Sequence, residues 1–121
     1  MVTPKALSVG PMIQATFAKA YKAGVKIAFG TDAGVFMHGK NGKEFGYMVE
    51  GGMPPLEAIR SATYHAADLL GVSDILGVIE KGKIADIIAV DGDPVKDISV
   101  MEKVIFVMKG GVIYKNSADR M

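Results

Sequence analysis

The chain has 121 residues, half of them hydrophobic, enough for one modest domain that buries roughly 65 % of its unfolded surface. A formal net charge of +1, with no Lys/Arg cluster interleaved with aromatics, argues against nucleic acid or an anionic membrane as a charge-driven partner. No apolar run approaches the ~20 residues of a membrane span, nothing resembles a signal peptide, and the absence of cysteine fits a reducing, cytoplasmic setting.

Residues 10–23 place Met12, Ile13, Thr16, Phe17, Ala20 and Tyr21 at helical spacing, with Pro11 in the first turn and Gly24 just past the end. That pattern predicts a helix feeding directly into a strand. Val25-Lys26-Ile27-Ala28-Phe29 holds four apolar residues in five, which suits a parallel strand covered on both faces. The stretch from Gly30 to Lys43 carries Gly30, Gly34, Gly39 and Gly42 and reads as a loop over a site. A second helix is expected from Pro55 to Leu70, with Leu56, Ile59, Ala62, Ala66, Leu69 and Leu70 on its apolar side and Gly71 as its stop. Beyond Gly82 the period becomes extended. Ile84 to Val90 reads as a strand, Gly92-Asp93-Pro94 as a turn, and Val104 to Met108 with Val112 to Tyr114 as a hairpin closed by Gly110-Gly111. The methionines Met12, Met48, Met53, Met101 and Met108 need no role beyond packing.

Asp32 follows the apolar run Val25 to Phe29. Ligand and catalytic groups of parallel α/β folds collect beyond the carboxyl ends of strands. An Asp beside Gly also caps turns through backbone N–H groups, so the local context leaves both roles open. His38 lies six residues further on in the glycine-rich loop. It either reaches a substrate carboxylate or carbonyl, or stays a solvated loop residue. His65, on the edge of the second helix's apolar face, reads as a packed, hydrogen-bonded core residue.

The later segments occur in a specific order: Thr31-Asp32-Ala33-Gly34 with His38-Gly39, then Glu57-Ala58-Ile59-Arg60-Ser61-Ala62-Thr63, Ala66-Ala67-Asp68-Leu69-Leu70-Gly71, and Leu76-Gly77-Val78-Ile79-Glu80-Lys81-Gly82-Lys83-Ile84-Ala85-Asp86-Ile87-Ile88. This series resembles the carboxy-terminal third of the metal-dependent amidohydrolase superfamily, in its imidazolonepropionase-like and Xaa-Pro or Xaa-Arg dipeptidase branch. The resemblance implies an α/β chain: the last strand-helix unit of a (β/α)₈ TIM-type barrel over residues 1–76, with Val25 to Phe29 as the eighth strand, plus part of a flanking β-sandwich over 77–121. It also implies that Asp32 is both catalytic and metal-associated, taking a proton from a water polarised by zinc or another divalent ion and passing it to the leaving nitrogen. His38 then becomes a substrate-binding candidate. Asp86 matches a motif of the sandwich and reads as structural.

The resemblance also implies ligands upstream of the matched segment: a His-x-His pair, a bridging lysine or glutamate, and two further histidines. The two histidines here are 27 positions apart, and no cysteine accompanies them. The expectation is therefore the tail of a hydrolase of amide, peptide or cyclic amide C–N bonds, inactive alone and holding no metal tightly by itself. Its substrate in an intact enzyme would be a small peptide or cyclic amide, with no nucleic-acid or membrane partner. Bare apolar faces further predict a homo-oligomer, with Ile27, Phe29, Ile59 and Leu69 at or near the interface.

Two other readings compete. Gly34 to Lys40 fits G-x-x-x-x-G-K, and Ile87-Ile88-Ala89-Val90-Asp91 resembles a Walker B strand, yet Asn41 stands where a Ser or Thr would hold Mg²⁺. The other is a non-enzymatic docking or oligomerisation module.

Overall fold

The computed structural model describes residues 4–30 and 41–117. Helix α1 spans Pro4–Lys22 and carries Lys19 and Lys22 in its last turn, where cations complement the helix dipole. It begins six residues earlier than the periodicity predicts, so Pro11 lies inside it and offers no N–H to the preceding turn. Its end matches expectation. Gly24 sits at φ 83°, its N–H donates to the Tyr21 carbonyl at 3.1 Å, and the Val25 N–H reaches back to the Ala20 carbonyl at 3.1 Å. These two bonds are a Schellman stop.

The expected parallel strand Val25 to Phe29 is not formed. Residues 25–30 carry no regular secondary structure and belong to no sheet among the described residues. A strand exists only through hydrogen bonds donated and accepted by a neighbour, and the described sheet lies elsewhere. One anchoring bond is present, from the Phe29 N–H to the Ser61 carbonyl at 2.9 Å.

A 3₁₀ turn at Asn41–Lys43 leads into α2, Glu44–Glu50, a helix the sequence reading passed over. Phe45 and Met48 on its inner face are buried. Gln14 of α1 donates from Nε2 to the Tyr47 carbonyl at 2.8 Å and ties the two helices. The single long helix expected from Pro55 to Leu70 is two: α3 at Pro55–Ala62 and α4 at Tyr64–Leu69. Thr63 breaks it at φ −122°, ψ −90°, its hydroxyl donating to the Ile59 carbonyl at 2.9 Å. Such local bonding by a β-branched hydroxyl residue competes with regular helix. Gly71 ends α4 as the sequence predicts, at φ 74°, with the Val72 N–H on the Ala67 carbonyl at 2.9 Å.

Three antiparallel strands follow in the order β1 (Ile87–Val90), β2 (Val104–Lys109), β3 (Val112–Asn116). Ile87 faces Met108 and Phe106 faces Asn116, with register shifts at Ala89/Val90 and Val107/Met108. The β2–β3 hairpin turns at Gly110 and Gly111, at φ 57° and 82°, the conformation a two-residue hairpin needs and glycine adopts without strain. Asp86 secures this turn. Its Oδ1 accepts from the Gly110 N–H at 2.8 Å, while the Ala85 carbonyl accepts from the Gly111 N–H at 3.0 Å. The Walker B-like segment is thus an outer strand of an antiparallel sheet, next to β2.

A 3₁₀ turn, Ile98–Glu102, sends Val100 and Met101 inward. Met101 joins Phe45, Met48, Met53 and Ala58 in the buried core, against which Phe17, Tyr21, Ile27, Phe29, Ile59 and Val90 pack. Elsewhere apolar surface stays bare: Leu69 is 73 % exposed, Leu70 75 % and Ile79 81 %. Among the described residues no helix is long and apolar enough to cross a membrane.

Candidate functional site

Asp32 and His38 both lie outside the described residues, as does the G-x-x-x-x-G-K stretch Gly34 to Lys40. The chain on either side of them is held by contacts to α3 and to the Ile98–Glu102 turn. On the incoming side, the Phe29 N–H is bonded to the Ser61 carbonyl and its ring stacks on Phe45, with centroids 4.5 Å apart and planes 27° from parallel. Offset stacking of this kind adds to simple burial. Ser61 is itself 1 % exposed and donates from Oγ to the Ala58 carbonyl at 2.6 Å, so its carbonyl is held on a rigid turn of α3. On the outgoing side, Gly42 lies so close to the Ile98–Glu102 turn that a Cβ there would stand 3.0 Å from the Met101 carbonyl oxygen. Phe45, three residues on, returns the chain to Phe29.

Phe45 and Ser61 were not singled out by sequence reasoning. The signal for Phe45 was present in the spacing of Phe45, Met48 and Val49, three and four residues apart as on one helix face. Nothing local points from Ser61 to Phe29.

His65 departs from the sequence reading. It is exposed rather than packed in the core, its side chain 45 % accessible, with Nε2 3.8 Å from Glu57 Oε2 and its ring edge-on to Tyr64 at 5.4 Å. The cause is the break at Thr63, which turns α4 away from the line of α3. Glu57 is engaged more closely by Arg60, whose Nη1 donates to Oε1 at 2.7 Å. Both pairs are solvent-accessible and of small energetic worth. His65, Glu57, Ser61, Lys26 and Tyr21 line a cavity of about 220 Å³ beside Gly24 to Ile27. A larger apolar groove of about 770 Å³ runs between α3–α4, the 72–79 segment and β1, floored by Ile59, Ala66, Leu70, Leu76, Ile79 and Ile88.

Among the described residues no three or more His, Cys, Asp or Glu side chains come together as a metal-binding group. The described part of the chain therefore does not by itself fit a metal centre. Asp97, far from this loop in sequence, is a carboxylate with a displaced pKa. Hydrogen bonds to its side chain from the Ser99 hydroxyl and the Ser99 N–H hold it below its ordinary value of 3.8, with Lys103 adding a smaller push the same way. Its role is that of a turn cap.

The chain is 42 % identical over 101 residues to an ochratoxinase from Aspergillus niger, an alignment covering 79 % of this chain and 21 % of the relative. It superposes on a Xaa-Pro dipeptidase with methionine bound in the active site at 62 % identity and TM-score 0.88, covering 93 % of this chain and 28 % of that one. It also superposes on a prolidase complexed with N-methylphosphonate-L-proline at 32 % identity and TM-score 0.79, covering 95 % and 30 %. The chain thus spans between a fifth and a third of the length of these relatives. Residues 4–114 match the profile of the Amidohydrolase family, and the chain belongs to that family.

Proposed function

We propose that this chain is the carboxy-terminal portion of a hydrolase of amide C–N bonds in small peptides or cyclic amides, in which Asp32 is the carboxylate that accepts and returns the proton. The observation that carries the proposal is the 62 % identity, over 93 % of the chain, to a Xaa-Pro dipeptidase. It makes a dipeptide ending in proline the first substrate to test. In this reading residues 1–76 supply the last strand-helix unit of a barrel, with Val25 to Phe29 pairing only when neighbouring strands are provided. Residues 77–121 supply part of a β-sandwich.

The family is generally metal-dependent. A divalent ion, where bound, would supply a polarised water, and its ligands would have to come from outside the described residues. What Asp32 contributes is separable from the ion. A carboxylate is ionised at neutral pH and can hold the proton lost by an attacking water. His38 would recognise a substrate carboxylate or carbonyl.

The test is a chimera in which residues 4–114 replace the matching segment of the Xaa-Pro dipeptidase. Asp32→Asn preserves shape but removes the charge and the proton acceptor, so kcat should fall by about 10²-fold or more with unchanged circular dichroism. Near-normal turnover of Xaa-Pro dipeptides by Asp32→Asn would reduce Asp32 to a turn cap. A second reading, a docking or oligomerisation module, is favoured by the exposure of Leu69, Leu70 and Ile79.

A further inference from the structure

We draw no further inference here: the strongest candidate, the apolar groove of about 770 Å³ between α3–α4, the 72–79 segment and β1, carries none because nothing in the structure shows what covers it.

Discussion

Replacing Gly77 by alanine tests how firmly the segment after α4 is seated on the helices. Gly77 has φ 109°, and a Cβ built there stands 2.9 Å from the Ala67 Cβ, 3.2 Å from the Thr63 carbonyl oxygen and 3.3 Å from the Tyr64 Cα. Two of these three neighbours are backbone atoms at the α3–α4 break, so no side-chain rotation relieves the contact. Gly82 is the matched control. It has φ 92° but nothing within 4 Å of the added Cβ. Positive φ alone costs an L-residue about 1–2 kcal/mol, which is the expected loss for Gly82→Ala. At Gly77 the same strain is joined by overpacking of about 1–3 kcal/mol, giving about 2–5 kcal/mol for Gly77→Ala. Urea unfolding followed by far-ultraviolet circular dichroism, with both variants and the parent extrapolated to water, reads the difference directly. Equal losses for the two variants would show that the 72–77 segment does not rest against Thr63 and Ala67 in solution, and would remove one wall of the apolar groove.

Asp86→Ala should cost about 1 kcal/mol by freeing the Gly110 N–H from its 2.8 Å bond, and amide exchange at Gly110 and Gly111 should quicken more than in α3. Asp97 is held below its ordinary carboxyl value of 3.8 in the folded chain, so its contribution is present above the unfolded value and is lost as pH falls through the lower, folded one. The stability gap between the parent and Asp97→Asn should accordingly close under acid titration below about pH 4, whereas a gap that widens in acid would contradict the cap geometry. Light scattering on the isolated chain should report a homo-oligomer, driven by the patch around Leu69, Leu70 and Ile79, and Leu69→Ser with Leu70→Ser should shift it toward monomer. A cooperative monomer of the parent would show that the uncovered apolar surface is tolerated. Ile27, Phe29 and Ile59, named with Leu69 as interface candidates, already pack in part on the Phe45–Met101 core, which leaves Leu69 the strongest of the four.

Features whose chemistry is local could be read from the sequence. Gly24 and Gly71 end their helices because the closing bonds run only three to five residues back and need a residue tolerant of positive φ. The β2–β3 hairpin turns at Gly110-Gly111 for the same reason, and Asp86, assigned to structure, is seen to clamp that turn. Family membership was also legible, because it resides in the order of short segments rather than in their contacts. Other features were decided by partners distant in sequence or by a local break that the apolar pattern does not record. Val25 to Phe29 has the composition of a buried strand, yet a strand needs a neighbour, and among the described residues this stretch is tied by the Val25 N–H to Ala20 at the helix stop and by the Phe29 N–H to Ser61 rather than to a sheet. The continuous apolar stripe from Pro55 to Leu70 conceals the break at Thr63, which exposes His65 and Leu69. Phe45 acquires its place beside Phe29 across sixteen positions of sequence. No periodicity records such a contact, since helical and turn hydrogen bonds are written within a few residues, while strand pairing and aromatic stacking are settled only when distant parts of the chain meet.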